Sequence, residues 1–390
     1  MDPNFTVAII GAVVLLGVFL KHFSKKTGWP LSLVLLLIGL FIGPVFGILD
    51  VSQFSEAIHS FAIIALVLVL FDTGYEIKLS QIKKSIFEST GLALIGVIST
   101  IFAVFLVGKY IMGLDPYLAV LFGALLASTD LTIIAPLMDS LKVKPKVKEA
   151  LEIEATLNSV FAAVVAIIVG TMILSKSNLA EAISRGVFYH IFLGVAIGLM
   201  IGWILLKSMR YLALEDMPAI ITIGAVLVVY AVTEFIGASG VIAALIVGLL
   251  YGNVKPSPPK FVMLFGDNLQ MILVTFVYIF LGAMITFSAF TGAALTVLAL
   301  VSAIVLIRYF SVKFVTMKES LLAQRVIGIS GPRGIISAIL VLGYASMFPN
   351  PNLIISLGFA VIFCTSLIVF LLPLIEKKTD KNIKVAGLRF

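Results

Sequence analysis

Runs of about twenty apolar residues recur along almost the whole chain, for example over 57–74, 87–111, 150–174 and 353–375. A bilayer core demands ~20 consecutive apolar residues of a spanning helix, and no soluble core needs so many such helices. The runs are apolar on every side, whereas a membrane β-barrel alternates apolar and polar residues over short strands. Composition agrees. Of 390 residues, 61% are hydrophobic and 12% charged, against roughly 25% charged in soluble domains. The mean hydropathy is +1.20. The sequence therefore predicts an all-α polytopic membrane protein, which excludes a soluble enzyme.

About thirteen spans can be read, over 6–20, 29–49, 57–74, 87–111, 117–138, 150–174, 186–206, 217–236, 239–252, 268–288, 291–309, 325–346 and 353–375. The eighth and ninth are divided at Gly237 and Gly240. The segment from Phe310 to Gln324 reads as a mildly amphipathic interfacial connector. The run Thr6–Leu20 is followed by Lys21, Lys25 and Lys26, so no cleavable signal is expected.

The basic residues test this map. One set of alternate loops holds Lys21, Lys25, Lys26; Lys78, Lys83, Lys84; Lys142, Lys144, Lys146, Lys148; Lys207, Arg210; Lys255, Lys260; and Lys313, Lys318, Arg325. The tail adds Lys377, Lys378, Lys381, Lys384 and Arg389 on the same side. The opposite loops hold Lys109, Lys176 and Arg185. Cytoplasmic loops carry the excess of Lys and Arg. An amino terminus outside and a carboxyl terminus in the cytoplasm of a cell membrane are therefore expected. The net charge of +7 is explained by orientation, and nucleic acid is not an expected partner. Cys364 stands alone and His22, His59 and His190 are scattered, so neither a disulfide nor a metal cluster nor a cofactor is expected. No Walker A segment suggests a pump.

A charge at the bilayer centre costs ~2.5–3.5 kcal/mol on insertion scales, so ionisable residues inside spans point to function. Asp130 is one, in Ala127-Ser128-Thr129-Asp130-Leu131-Thr132, with Pro136 beyond. Proline removes a helical hydrogen bond and nearby hydroxyls can satisfy freed backbone groups. The segment reads as an interrupted helix offering carbonyl, hydroxyl and carboxylate oxygens to a hard cation. Glu154 and Asn158 share a helix face in the sixth span. Buried Glu154 needs a partner, and Arg308 and Arg333 are both available for a bidentate pair. That pair reads as structural support. Glu149, Glu152, Asp72, Glu76 and Glu234 read as solvated span ends.

The twelfth span contains Gly328-Ile329-Ser330-Gly331-Pro332-Arg333-Gly334, which unwinds a helix. It lies seven spans after the fifth and so runs the opposite way. Two interrupted helices at corresponding places in oppositely oriented halves mark a transporter site built from inverted repeats. Their half-helix ends can offset charge on Asp130 and Arg333.

Thr129-Asp130, Glu154-Ala155-Thr156-Leu157-Asn158, Arg308 and Gly331-Pro332-Arg333-Gly334, in this order, resemble the monovalent cation:proton antiporter superfamily. The likeness is to its sodium/proton exchanger branch, close to the archaeal electroneutral exchangers. The resemblance implies crossed interrupted helices in spans 5 and 12. It implies a core of 87–175 and 289–376, a scaffold of 1–86 and 176–288 that forms a homodimer, a basic tail of 377–390, and an elevator motion. It also implies that Asp130 binds the ion, that Glu154 pairs with an arginine and that Asn158 orients the site. The chain departs from the family at Ser159, usually Asp, at Ala155, often Ser, and at Leu131, often Pro.

The expected mechanism is competition at Asp130. The ionised acid takes a cation with help from Thr129, Asn158 and Ser159, and a proton displaces it. Na+ is the first expectation, with Li+ or K+ as other cargo. A potassium/proton antiporter, a cation-coupled solute symporter and a channel are the rival readings.

Overall fold

The computed structural model describes residues 3–48, 55–131, 133–134, 138, 145–175, 188–211, 218–254, 260–286, 293–315, 321–329 and 331–379. Its α-helices are α1 (Pro3–Thr27), α2 (Leu31–Leu40), α3 (Ser55–Glu76), α4 (Leu79–Tyr110), α5 (Pro116–Leu125), α6 (Pro145–Ser175), α7 (Phe188–Tyr211), α8 (Pro218–Phe235), α9 (Gly240–Asn253), α10 (Lys260–Ala283), α11 (Ala294–Val315), α12 (Leu321–Ile329), α13 (Ile335–Tyr344) and α14 (Pro351–Thr379). Taking α12 with α13 as one interrupted span, and α5 with the helical residues that follow Asp130 as another, the elements follow the thirteen-span order. The all-helical, multi-pass fold is as expected. No named strand occurs among the described residues; backbone in a bilayer must satisfy its polar groups within each segment.

Among the described residues, six helices are long and apolar enough to cross a membrane by length and composition alone, including Thr90–Tyr110, Val147–Leu174 and Pro351–Pro373. Large apolar side chains on their outer faces are left exposed, as Phe102, Leu174, Trp203 and Leu298 show. That is the surface a lipid solvent covers.

Several boundaries have local causes. Asp115 caps α5, its carboxylate accepting from Tyr117 N at 2.9 Å, with Pro116 at the first helical position. The division between α8 and α9 falls at Gly237, whose φ is +82°. There Ser239 caps α9 and the Glu234 carboxylate accepts from Gly240 N at 2.8 Å. Two details differ from the sequence reading. The second span ends in a π-helical turn at Phe41–Val45, which contains Pro44. Helix also occupies both ends of the stretch read as a connector, since α11 runs to Val315 and α12 starts at Leu321.

Small residues let helices approach backbone to backbone, the usual packing device where lipid removes the hydrophobic drive. A Cβ on Gly248 of α9 would overlap the Phe71 carbonyl of α3, and one on Gly74 of α3 would overlap the Leu245 carbonyl of α9. Asn253 clasps the same pair. Its side-chain amide donates to Ile77 O at 2.8 Å, and its Oδ1 accepts from Leu79 N at 2.9 Å.

The organising feature is a crossing of two broken helices. After α5 the chain is non-helical through Ala127–Asp130 and turns helical again at Leu131. Gly331–Gly334 separate α12 from α13. The breaks meet as a single antiparallel bridge between Thr129 and Arg333, in which Asp130 N donates to Pro332 O at 2.9 Å. The first break thus lies well before Pro136, the residue expected to cause it. Thr132, Pro136 and Ser330 are outside the described residues, as are the loop cations Lys142, Lys144, Lys176, Arg185, Lys255 and Lys318 and the tail beyond Thr379.

Candidate functional site at the helix crossing

The breaks free backbone groups inside a low-dielectric interior, where each unmet group is costly. Two successive carbonyls find side-chain donors. Ala127 O accepts from Arg333 Nη1 at 3.2 Å and Ser128 O from Ser337 Oγ at 3.3 Å, while Thr129 O lies 3.5 Å from Ser159 Oγ. The sequence reading offered these carbonyls to a cation; in the structure they also anchor the crossing, and each carbonyl oxygen has a second lone pair. Gly334 has a specific duty here. A Cβ at that position would lie 2.7 Å from the Asp130 Cβ, so only glycine lets the breaks come this close.

Charge is matched to helix ends. Asp130 is buried at 6% exposure and packs against Gly334, the residue that caps the amino end of α13. Arg333, fully buried, lies at the carboxyl end of α5 through Ala127 O. Its second terminal nitrogen donates to Thr100 Oγ1 of α4 at 2.9 Å, and its backbone N–H to Thr365 Oγ1 of α14 at 3.1 Å. A carboxylate is favoured at a helix amino end and a guanidinium at a carboxyl end.

The two candidate partners of Glu154 are now distinguished. Arg308 of α11 donates to Glu154 Oε1 at 2.6 Å, with both side chains buried. Asn158, one turn along α6, donates from Nδ2 to the same oxygen at 3.0 Å and to Thr129 Oγ1 at 3.3 Å. A carboxylate only accepts, so the amide nitrogen must face it. That leaves Asn158 Oδ1 buried, with no hydrogen-bond partner among the described residues. Ser159 Oγ donates to Ala155 O at 2.9 Å, which leaves it to accept from Ser128 Oγ at 2.9 Å.

Asp130, Thr129, Asn158, Ser159, Glu154, Arg308 and Arg333 are therefore brought into one connected, buried cluster. Glu149 and Glu76 are exposed, and Glu152 and Asp72 half-buried, as solvated span ends should be. One polar neighbour was not foreseen. Tyr278 of α10, 1% exposed, donates its hydroxyl to Asp130 Oδ2 at 3.2 Å. A lone tyrosine in an apolar run carries no signal of its own, because it is 148 residues from its acceptor. Thr100 and Thr365 were missed likewise; hydroxyls inside apolar spans were the available clue. No group of three or more His, Cys, Asp or Glu side chains suited to a resident metal occurs among the described residues.

Chemically, beside the Glu154–Arg308 pair the cluster offers the Asp130 carboxylate and several neutral oxygens in a buried crossing, which suits reversible binding of a small hard cation or a proton. Comparison with known proteins points the same way. The family model "Sodium/hydrogen exchanger, transmembrane" matches residues 11–374. The K(+)/H(+) antiporter NhaP of Alkalimonas amylolytica is 26% identical over 309 residues, covering 78% of this chain and 54% of that protein. The K(+)/H(+) antiporter NhaP2 of Shewanella baltica is 28% identical over 268 residues, covering 66% and 46%. The Na(+)/H(+) antiporter 1 of Methanocaldococcus jannaschii is 25% identical over 360 residues, covering 87% and 83%. The chain thus spans about half the length of the potassium/proton relatives it matches. In fold it resembles the solved structure of the sodium proton antiporter MjNhaP1 from Methanocaldococcus jannaschii at pH 8. The TM-score is 0.84, with 21% identity over 98% of this chain and 99% of that one.

Proposed function

The chain belongs to the sodium/hydrogen exchanger family, and from that membership we propose that it is a secondary transporter that exchanges a monovalent cation, Na+ first, for H+. The observation that carries the reading is the placement of Asp130. Glu154 is committed to Arg308 at 2.6 Å, whereas Asp130 lies at the crossing itself, against the amino end of α13. The ionised Asp130 binds the cation, with Thr129, Ser159 and Asn158 Oδ1 as neutral oxygens, and a proton displaces it. One acid serves one proton or one monovalent cation, so balanced exchange is electroneutral. Glu154, Arg308 and Arg333 hold the site together without carrying the ion.

Alternating access follows from motion of a core, 87–175 with 289–376, against a scaffold of 1–86 with 176–288 that pairs two copies in a homodimer. Support for this division is that, Tyr278 excepted, the polar contacts described at the crossing come from the core helices. The protein sits in the cell membrane with its amino terminus outside. Potassium as the exchanged ion is a second reading, favoured by the named activities of two relatives.

The test follows internal pH in acid-loaded proteoliposomes as sodium, lithium or potassium is added outside. One cation is expected to alkalinise the lumen and so name the cargo. Asp130→Asn is expected to abolish the response, and full exchange by that variant would sink the mechanism.

A further inference from the structure

Tyr278 and Asp130 are bonded to one another but anchored to different parts of the molecule. Tyr278 lies on α10, which small residues seat tightly on α1 and α2. A Cβ on Gly39 of α2 would overlap the Ile279 carbonyl, and one on Gly282 of α10 would overlap the Leu36 carbonyl. Gly43, in the π-helical turn after α2, meets the Ala283 backbone as closely, and a Cβ on Gly17 of α1 would press on the Thr275 side chain. These contacts bracket Tyr278 from Thr275 to Ala283. Close-packed interiors transmit displacement rather than absorb it, so α10 keeps station with α1 and α2. Asp130 is held elsewhere. Its backbone N–H donates to Pro332 O at 2.9 Å, and Gly334 packs on its Cβ; both belong to the other broken helix. Across this divide the Tyr278 hydroxyl donates to Asp130 Oδ2 at 3.2 Å, with both side chains buried.

When the core shifts against the scaffold, Asp130 travels and Tyr278 stays. The bond therefore exists in one facing state of the transport cycle and is absent from the other. A hydrogen bond to an ionised acceptor is roughly twice as strong as one to a neutral acceptor. A cation on the Asp130 carboxylate offsets the charge on which the bond draws, so binding the ion gives up part of the bond. That loss weakens binding in the state seen here and has no counterpart in the other. The difference amounts to about three- to tenfold in affinity.

We propose, resting on the exchange reading and the core–scaffold division above, that Tyr278 makes the two faces of this transporter unequal, the cation binding more weakly from the side to which the site opens in this structure. Tyr278 acts through Asp130 as a positioning residue and does not hold the ion. Such a site loads from a dilute cation on its tight side and releases into a concentrated one on its weak side. The gradients still set the direction of net exchange. Tyr278 sets how far each face is saturated.

The experiment compares right-side-out with everted membrane vesicles from cells that lack their own exchangers and produce this protein. Both are acid-loaded and placed in the same alkaline medium, where protons leave the outer-facing site to the cation. Sodium, and in a second series potassium, is added outside, and the half-saturating concentration for proton exchange is read for each face. The unaltered protein is expected to differ between faces by about three- to tenfold. Tyr278→Phe is expected to lower the higher value towards the other, a split that a general loss of packing would not produce. Equal half-saturation at the two faces of the unaltered protein overturns the proposal and leaves the exchange reading standing. A difference that persists undiminished in Tyr278→Phe also overturns it. No exchange from either face overturns both. If Tyr278→Phe elutes aggregated on size exclusion, Tyr278→Met, which also lacks the hydroxyl, takes its place.

Discussion

At the scale of single residues, the buried ion pair and the tyrosine at Asp130 do different work. Glu154 and Arg308 pair through one 2.6 Å contact with both side chains buried, and removing one partner strands the other. Loss of one member of a buried pair costs ~3–5 kcal/mol. Arg308→Met is therefore expected to lower the melting temperature in detergent sharply. The double variant Glu154→Gln, Arg308→Met is expected to recover much of that loss; equal melting of the single and double variants would refute the pairing argument. Tyr278 tests the proposed division of the chain. It reaches Asp130 from α10, a scaffold helix on that reading, so its bond must break whenever the core moves. A hydrogen bond to a charged group contributes ~1.5–3 kcal/mol net, and ~1.4 kcal/mol is tenfold in rate. Tyr278→Phe is expected to speed turnover, by about tenfold, where relocation limits the rate. Slower turnover in a folded Tyr278→Phe protein would place Tyr278 among the groups that assist binding instead.

At the scale of elements, the crossing depends on backbone proximity that one methyl group destroys. An added Cβ at Gly334 comes within 3.0 Å of the Asp130 Cα, and backbone cannot swing aside as a flexible side chain can. Gly334→Ala is expected to abolish exchange while leaving the helical circular dichroism unchanged, because the helices on either side keep their own hydrogen bonds. The α3–α9 contact behaves differently. Gly248→Leu forces those helices apart where the Phe71 carbonyl meets α9. Overpacking of this kind costs ~1–3 kcal/mol or more. The expected result is a lower melting temperature with residual exchange, read by thermal denaturation and the vesicle assay together. The elements themselves were largely legible in the sequence. Gly237 and Gly240 marked the α8–α9 division, and the Gly-Pro-Arg-Gly segment marked the second break. The first break also falls inside the segment around Asp130 that the sequence marked. What was not legible is its pairing with Pro332 and Arg333, because pairing between distant segments leaves no local signature.

For the whole molecule, the alternation of basic loops predicts that both termini lie on opposite sides of the membrane. The check uses a Cys364→Ala background with a single cysteine placed at Asn4 or at Lys384. A membrane-impermeant thiol reagent is expected to label the first from outside intact cells and the second only after lysis. The reverse pattern would invert the proposed orientation and leave the helical fold untouched.

Hydropathy by itself determined the solvent of this protein, its helical class and the order of its spans, because those depend on runs of residues adjacent in the chain. The buried ionisable residues were visible for the same reason: a charge inside an apolar run is conspicuous whatever surrounds it. The choice of Arg308 over Arg333 for Glu154, the tyrosine on Asp130 and the side-chain donors on the freed carbonyls were decided only by tertiary structure. Glu154 and Arg308 lie 154 residues apart, and which of two arginines reaches a carboxylate depends on how helices pack.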